Sequence, residues 1–190
     1  MLDAALALLL AEGDSLTMTA VARRASCSKE TLYKWFGDRD GLLIAIVRWQ
    51  ASKVRMPQFD REALDAASLR DGIEQFGRSL LTVLAGDISV TLNRIAITHA
   101  GSATSDLGTI VLENGRRAMG VRLKPIFEAG REARLLSFDD SEEAFRSFFG
   151  LLVRDVQIRL LLGDSFRPSA DEISMDARRA TVQFFALYRA

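Results

Sequence analysis

The segment Thr17–Leu42, TMTAVARRASCSKETLYKWFGDRDGL, constrains the fold of this chain more than any other part of it. Thr17 and Ser28 are good helix N-caps, because a hydroxyl oxygen can accept a hydrogen bond from a backbone N–H that the first helical turn leaves unpaired. Apolar residues recur at helical spacing after Thr17, and two polar residues before Ser28 interrupt that spacing. The segment therefore predicts two short helices joined by a tight turn, the second of which ends near Phe36.

The second of these helices combines an internal anchor with an unusual outer face. Leu32 and Phe36 lie one turn apart and can hold the helix against a core. The remaining side chains point mostly outward, and they are Lys29, Glu30, Thr31, Tyr33, Lys34 and Trp35. Tyrosine and lysine donate hydrogen bonds to phosphate oxygens, and a lysine near a helix N-terminus can reach a base edge. We therefore expect a helix-turn-helix whose second helix enters the major groove of DNA, and the alternative is a helical hairpin with an incidental aromatic face.

A third helix is predicted directly after this segment. Asp38 can cap it, and Leu42, Leu43, Ile46 and Val47 form an apolar stripe along it. This stripe can continue the core that Leu32 begins. The N-terminal quarter of the chain therefore predicts a small DNA-binding domain of three helices.

The pattern T-x-x-x-V-A-x-x-A-x-C-S-x-x-T-L-Y-x-W-F-x-D-R-x-x-L resembles the DNA-binding domain of the tetracycline-repressor (TetR) family of bacterial regulators. The segment Leu2–Gly13 is similar to the first helix of that family and the glycine that ends it. The resemblance implies a helix-turn-helix domain over residues 1–46. It implies phosphate contacts at Thr17, Tyr33, Trp35 and Arg39. It implies base contacts at Thr19, Lys29 and Thr31, with Ser28 as the cap of the recognition helix. Lys34 completes the predicted DNA-binding set through its charge on the same outer face.

Two positions depart from the pattern of the family. The turn position usually held by glycine is Ser26, and a left-handed conformation would cost a non-glycine residue on the order of 1 kcal/mol. Family members also carry a basic arm before the first helix, whereas Met1 already lies at the predicted start of that helix. We expect that the chain is truncated or begins at a misassigned start codon.

Composition favours an all-helical protein that binds DNA through a local surface. The chain has 190 residues, only three prolines and equal numbers of basic and acidic residues, 25 of each. This balance argues against a protein that holds nucleic acid mainly through a large basic surface. One DNA-binding head is therefore expected to bind weakly, and a dimer is expected to use two of them.

Other classes of protein are disfavoured by the same sequence. No apolar run reaches the 18 or so residues that span a bilayer, and we expect a cytoplasmic protein. One cysteine excludes an intramolecular disulfide, and a metal site would need partners that are not found for the single histidine. There is no phosphate-binding glycine loop and no second histidine for a catalytic dyad. We therefore expect no catalytic residues, no enzyme activity, no metal site and no cofactor.

Two stretches near the end of the chain predict helix-on-helix packing. Ser141–Leu162 is apolar on two faces, and such a helix needs partners on both sides. After it, apolar residues recur at spacings of 4, 3, 4 and 3 and form a seam. The resemblance implies that two such helices pair with their copies in a homodimer, and the alternative is that they complete the core of one chain. The predicted dimer interface comprises Leu152, Val156, Ile173, Ala177, Ala180, Phe184 and Leu187.

Residues 102–190, with GLLVRDVQIRLLLGDSFRPSADEI near their end, resemble the C-terminal domain of the AefR-like branch of the family. This resemblance implies a helical ligand-sensing and dimerisation domain over residues 47–190. A small molecule bound there must favour one spacing of the DNA-binding heads over another, with helix 39–55 as the expected lever. The alternative for the apolar residues of this domain is an ordinary core. The predicted pocket comprises Phe76, Leu80, Leu92, Ile95, His99, Arg122, Phe127, Phe145 and Phe149.

The sequence therefore predicts an all-α, dimeric transcriptional regulator that responds to a small molecule. A repressor is expected, because repression is the commoner mode in the family that the chain resembles. Its partners would be a palindromic double-stranded DNA operator, an effector and a second copy of the chain. The alternative is a helical protein–protein interaction module that does not bind DNA.

Overall fold

The computed structural model describes residues 1–12, 16–58, 60–98, 100–101 and 106–190. These residues form helices and one isolated β-bridge between Leu136 and Arg189, which confirms the predicted all-α fold. They divide into two compact units. The first unit is Met1–Ser52 with Asp87–Arg117, and the second is Lys53–Gly86 with Ala118–Ala190.

The first unit packs the helix-turn-helix against three helical elements from later in the chain. Its elements are α1 (Leu2–Glu12), α2 (Met18–Arg24), α3 (Lys29–Phe36), α4 (Arg39–Ser52), α6 (Asp87–Thr98), α7 (Leu107–Val111) and a π-helix (Leu112–Arg117). Helix α4 contacts α7 and the π-helix, and α1 contacts α6. Leu9, Leu32 and Ile46 share one buried cluster with Leu107 and Ile110. The DNA-binding helices therefore belong to a core that includes residues from the middle of the chain.

The second unit is a bundle built around the last helix of the chain. Its elements are α5 (Ala66–Ala85), α8 (Ala118–Glu132), α9 (Ser141–Val153), α10 (Val156–Leu161) and α11 (Ala170–Tyr188). Helix α11 packs against α5 and α9, and α8 packs against α9 and α5. The ring of Phe127 stacks on that of Phe184 with centroids 4.7 Å apart, and Phe148 meets both rings edge-on. These contacts bury the apolar faces of the bundle helices against one another.

The two units do not follow the predicted division into domains 1–46 and 47–190. Residues 87–117 pack with the N-terminal helices, and residues 47–52 continue α4 within the same unit. Helix α4 contacts both α7 and the π-helix, so residues 47–52 pack in the same unit as residues 87–117. The predicted domain boundary after residue 46 stays a prediction, and the two packing units have the limits given above.

Two helices expected to run on are interrupted. The sequence from Asp106 to about Ala133 predicts one long helical region with a kink or break near Gly115, Gly120 or Pro125, and the π-helix, which includes Gly115, lies within this region. Pro125 lies inside α8 without ending it. The helix predicted to reach Leu162 breaks after α9, where Arg154 adopts a left-handed φ of 46° before α10 begins. Ser105, which the sequence predicts as the cap of the region that begins at Asp106, lies outside the described residues.

The predicted dimer seam is part of the core of one chain at most of its positions. Leu152, Val156, Ile173, Ala177, Ala180 and Phe184 are all buried within the chain. Only Leu187 is exposed, with 64% of its surface accessible. The reason is that the seam of α11 packs against α5 and α9 of the same chain. These six residues are covered within their own chain, which favours the alternative of a completed core, and their place in a dimer interface stays a prediction.

The membrane-spanning capacity of the described helices is limited. No single helix among them has both the length and the apolar composition to cross a membrane, and only α5 and α6 taken together as a bent pair meet that test. The apolar residues of α5, among them Leu69, Ile73 and Phe76, are buried.

Candidate nucleic-acid interface

The two helices of the helix-turn-helix begin at the predicted caps. Thr17 Oγ1 accepts a hydrogen bond from the backbone N–H of Ala20 at 3.2 Å. Ser28 Oγ accepts one from the N–H of Thr31 at 3.1 Å. Both caps have extended backbone conformations, which is how a residue enters a helix while its side chain satisfies the first turn. The start of the recognition helix α3 is thereby fixed by local hydrogen bonds.

The turn between α2 and α3 contains a left-handed serine. Ser26 has a φ of 52°, so the turn position that glycine usually holds in the resembled family is left-handed here. Its N–H donates to the carbonyl of Arg23 at 3.3 Å, and the N–H of Cys27 donates to the carbonyl of Ala22 at 3.0 Å. These two hydrogen bonds close the C-terminus of α2 and hold the turn, so the fold accommodates the backbone strain at Ser26.

The recognition helix presents a polar and aromatic outer face. Leu32 is completely buried, and it holds α3 to the core. Trp35 is 59% exposed and Tyr33 is 48% exposed, which is unusual for side chains of this size. Lys29 and Lys34 are exposed on the same helix. The exposed surface of α3 therefore carries two cations and two hydrogen-bonding aromatic groups that lie outside the core.

The remaining residues of the predicted DNA-binding set lie on or beside this helix-turn-helix. Thr19 is exposed on α2, and Thr31 is half-buried beside the cap, with its hydroxyl 3.1 Å from that of Ser28. The rings of Trp35 and Phe36 pack edge-to-face, with their centroids 6.4 Å apart. Half-buried Phe36 thereby supports the exposed indole next to it. The set is brought together, although Thr31 is engaged with the cap in the unbound chain.

Glu30 is an acidic residue in the first turn of the recognition helix. The pKa of its carboxyl is lower than the ordinary value of 4.5, mainly because the carboxylate accepts a hydrogen bond from its own backbone N–H and also one from the side chain of Ser28. A negative charge at this end of a helix is favourable, because the unpaired N–H groups there carry partial positive charge. Glu30 therefore contributes to the local folding of α3, and it also lowers the net positive charge of the outer face.

Helix α4 is joined to the recognition helix by a sharp turn with no room for a larger residue. Asp38 Oδ1 accepts a hydrogen bond from the N–H of Gly41 at 2.8 Å, which confirms the predicted cap of this helix. A Cβ at position 41 would lie 1.9 Å from the carbonyl oxygen of Phe36. Glycine at this position therefore permits the close approach of α4 to the end of α3, and it sets the orientation of the recognition helix.

Arg39 has a structural contact that sequence reasoning did not anticipate. Its Nε donates a hydrogen bond to the backbone carbonyl of Leu16 at 3.1 Å, and its guanidinium lies 3.7 Å from the carboxylate of Asp40. The side chain thereby ties the start of α4 to the segment before α2. A phosphate contact at Arg39 stays a prediction, and any such contact would use the part of the guanidinium that remains exposed.

The predicted pocket residues are divided between the two units. Leu92 is buried and Ile95 packs partly buried against the core cluster of the first unit. His99 lies outside the described residues. In the second unit, Phe76, Leu80, Phe127 and Phe145 are buried, and Phe149 is half-buried with its ring 5.8 Å from that of Phe145. The pocket stays a prediction.

Arg122 belongs to the predicted pocket, where its guanidinium would supply a polar contact to a ligand. Its Nη2 donates a hydrogen bond to the carbonyl of Val54, and its Nη1 lies 3.7 Å from the sulfur of Met119. Burial lowers the pKa of its guanidinium. The group is therefore engaged with the backbone of its own unit, and holding residue 54 is a sufficient reason for its burial.

Two family profiles match the chain. The profile described as "Bacterial regulatory proteins, tetR family" matches residues 1–46, and the profile described as "AefR-like transcriptional repressor, C-terminal domain" matches residues 71–190. No curated protein matches the chain. The family profiles and the fold thus place the same residues in a helix-turn-helix that the local geometry had already defined.

Solved structures of related regulators align along nearly the whole chain. A TetR transcriptional regulator from Agrobacterium tumefaciens is 48% identical, with a TM-score of 0.84, and the alignment covers 100% of this chain and 92% of that one. A TetR-family regulator from Mesorhizobium loti is 26% identical, with a TM-score of 0.76 and coverage of 100% and 95%. The flavonoid-responsive regulator FrrA is 26% identical, with a TM-score of 0.74 and coverage of 99% and 94%.

Proposed function

The chain belongs to the TetR family of bacterial transcriptional regulators, with an AefR-like C-terminal domain, and we propose that it is a ligand-responsive repressor that binds a palindromic operator as a dimer. The family is one of regulators and not of enzymes, in agreement with the function expected from the sequence. The observation that carries the proposal is the capped recognition helix α3, whose Tyr33 and Trp35 are exposed beside Lys29 and Lys34. We place its site of action in the cytoplasm, where the DNA of a bacterium lies.

The exposed face of α3 supplies the donors that a DNA duplex requires. Lys34, Tyr33 and the Trp35 indole N–H would contact phosphate oxygens and set the position of the helix, as would Thr17 at the cap of α2. Lys29 near the helix N-terminus, with Thr19 and Thr31, would approach base edges in the major groove. Two such helices about 34–36 Å apart in a symmetric dimer would occupy consecutive major grooves and block a promoter.

Charge reversal on the recognition helix tests this proposal. DNA binding of the full chain and of the K29E/K34E variant is measured by fluorescence anisotropy at two salt concentrations. The DNA is the intergenic region beside the gene, together with an operator selected from random sequence. We expect the variant to lose at least about tenfold in affinity and part of its salt dependence, because fewer counterions are released on binding. The matched control is R61E/R189E, which makes the same charge change at exposed positions of the second unit.

Each outcome of this experiment is informative. Equal loss in both double variants would mean that net charge and not the recognition helix governs binding. If the wild-type chain selects no sequence from the random pool, the helical interaction module without DNA binding becomes the better explanation. Retention of binding in R61E/R189E with loss in K29E/K34E supports the proposed interface.

The burial of the predicted seam moves the proposed dimer interface to the opposite face of the last helices. Large apolar side chains outside the seam are exposed there, and they are Ile158, Leu162, Met175 and Val182. Leu162 is 81% exposed, and a patch of such exposed apolar side chains is usually covered by a partner surface. Met175 and Val182 lie seven residues apart on α11 and share one side of it. We infer that this face meets its copy in a second subunit.

A charge placed on that face tests the dimer. The wild-type chain, V182E and the control Q75E, which adds the same charge at an exposed position of α5, are compared by size-exclusion chromatography with light scattering. We expect about twice the chain mass of 21.0 kDa for the wild type and for Q75E, and a shift towards the monomer for V182E. A wild-type monomer at micromolar concentration, or an unaffected dimer of V182E, would contradict the interface.

The proposed effector follows from the ligand class of a related regulator and from the buried aromatic residues of this chain. One aligned regulator is named as flavonoid-responsive, and flavonoids are planar aromatic molecules that carry hydroxyl groups. The second unit of this chain is rich in buried aromatic side chains, which suit ligands of that shape. We propose a small hydroxylated aromatic molecule whose binding lowers the affinity of the dimer for its operator.

A further inference from the structure

Two exposed arginines of α2 stand outside the predicted DNA-binding set. They are Arg23 and Arg24, and neither side chain forms a hydrogen bond or an ion pair with the part of the chain that the structure describes. By contrast, Arg39, Arg48 and Arg117 of the same unit each donate to an oxygen of the folded chain. The two guanidinium groups of α2 are therefore available to a partner from outside the chain.

These two arginines lie on different sides of α2. Arg23 follows the exposed Thr19 by four residues, so the two side chains share one side of the helix. Arg24 follows Thr19 by five residues, which places it roughly 140° away from Thr19 around the helix axis. A surface that meets Thr19 is therefore within reach of Arg23, whereas Arg24 does not face it.

Arg23 also borders the turn that leads into the recognition helix. Its backbone carbonyl accepts the hydrogen bond from the N–H of Ser26 at 3.3 Å, and Ser28 caps α3 two residues after that serine. Lys29 follows as the first residue of α3, and its side chain is exposed. The turn therefore keeps Arg23 close to the end of α3 that is proposed to approach base edges.

The recognition helix by itself has little charge to offer to DNA. Its two cations are Lys29 and Lys34, and the carboxylate of Glu30 offsets one of them. Duplex DNA carries one phosphate charge per about 1.7 Å of its axis, so its affinity for a protein depends strongly on the number of cations that reach the backbone. Arginine suits such a contact, because its planar guanidinium presents several donors to phosphate oxygens.

We propose that Arg23 binds a backbone phosphate of the operator, one turn of α2 beyond Thr19, and that Arg24 does not. The inference rests on the proposed function, because it requires that Thr19 and the start of α3 face DNA. A phosphate contact adds affinity without sequence preference, since phosphate oxygens are the same in every sequence. Arg23 thereby strengthens binding to any duplex, and base edges are left to Thr19, Lys29 and Thr31.

The test compares R23A with R24A in the full chain. Each variant removes one exposed arginine from the last turn of α2, so R24A controls for net charge and for the interaction of a cation with the helix C-terminus. Affinities for the selected operator and for a random-sequence duplex are measured by fluorescence anisotropy at several salt concentrations.

We expect R23A to bind both duplexes about threefold to tenfold more weakly, with the slope of log affinity against log salt concentration smaller by about 0.9. R24A should keep the slope of the wild type, because a charge that does not touch DNA is largely screened. R23K should recover most of the lost affinity and slope, since an ammonium group also contacts phosphate.

Three results would overturn the inference while DNA binding itself stands. Equal losses in R23A and R24A would show a general effect of charge. A wild-type affinity and slope in R23A would show that Arg23 does not reach the backbone. A loss by R23A on the operator but not on the random duplex would mean that Arg23 reads a base edge. If the wild-type chain selects no operator, the proposed function and the role of Arg23 fail together.

Discussion

Arg48 donates a hydrogen bond from Nε to Oδ1 of Asn114 at 2.8 Å, and this contact joins α4 to the π-helix. The Nδ2 of Asn114 in turn donates to the carbonyl of Ile110 at 3.0 Å. The amide of Asn114 is thereby oriented by its own helix before it meets the guanidinium. π-helical turns are uncommon in proteins, and many of those that do occur lie at functional sites. The pair therefore fixes the register between α4 and the π-helix within the first unit.

The N114A variant tests the strength of that contact. It removes both hydrogen bonds of the side chain, and we expect the free energy of unfolding to fall by about 0.5–1.5 kcal/mol. Urea unfolding of N114A, R48A and the double variant forms a cycle that isolates the pair. Additive losses in the double variant would show that the two side chains do not stabilise each other.

The close approach of Gly41 to Phe36 predicts a severe effect of a small substitution. In G41A the added methyl group would meet the carbonyl oxygen of Phe36, so the backbone between α3 and α4 must shift. We expect a loss of about 1–3 kcal/mol in the free energy of unfolding and weaker DNA binding. Urea unfolding provides the measurement. The control is G150A, where no atom lies within 4 Å of the added group and alanine should stabilise the helix by up to about 1 kcal/mol. Equal stability of G41A and the wild type would show that the turn relaxes freely.

The left-handed serine in the turn predicts a stabilising substitution. S26G relieves the steric cost of a Cβ at a φ of 52°, and we expect the free energy of unfolding to rise by about 1 kcal/mol. The affinity for DNA should stay the same, because the cap at Ser28 and the outer face of α3 are unchanged. The midpoint of urea unfolding measures the gain. S26A keeps the Cβ and should show no such gain, and a similar rise in both variants would contradict the steric explanation.

The cap of α11 predicts a specific loss of stability in acid. The N–H and hydroxyl of Ser169 donate to the carboxylate of Glu172 at 2.7 and 2.9 Å, and these hydrogen bonds lower the pKa of Glu172 from its ordinary value of 4.5. A lowered pKa in the folded state means that the contribution is present above about pH 4.5 and is lost as the pH falls below it. E172Q should therefore lose less stability on acidification than the wild type, since an amide oxygen accepts the same bonds without titrating.

Urea unfolding at pH 7 and near pH 4 measures this difference. E132Q makes the same change at an exposed position at the end of α8, outside any cap, and should follow the wild type at both pH values. A wild-type loss that E172Q shares in full would show that the cap does not contribute to the acid response.

The helix-turn-helix could be predicted in detail because its determinants are local. The caps at Thr17, Ser28 and Asp38 each bond to a residue three positions later, and such contacts are visible in a short window of sequence. The face of α3 follows from the same spacing. The contact of Arg39 with Leu16 was not predictable, because the two residues are 23 positions apart and no pattern joins them.

The C-terminal seam illustrates the opposite case. Spacings of 3 and 4 in α11 show that one face is covered, but they do not show whether the cover is another helix of the same chain or of a second one. Here the cover is α5 and α9, which are distant in sequence. The break at Arg154 could not be predicted, because neither that residue nor its immediate neighbours are glycine or proline.

Because the first unit is discontinuous in sequence, it can fold only late in the synthesis of the chain. Its core needs Leu107 and Ile110 beside residues of α1 to α4, so more than half of the chain must leave the ribosome before that core can close. Until then the DNA-binding helices have exposed apolar surface, and contacts between distant parts of a chain form slowly. A product truncated after Ser52 would therefore be a target for proteolysis and not a free competitor for the operator. The arrangement couples completion of the DNA-binding head to synthesis of most of the protein.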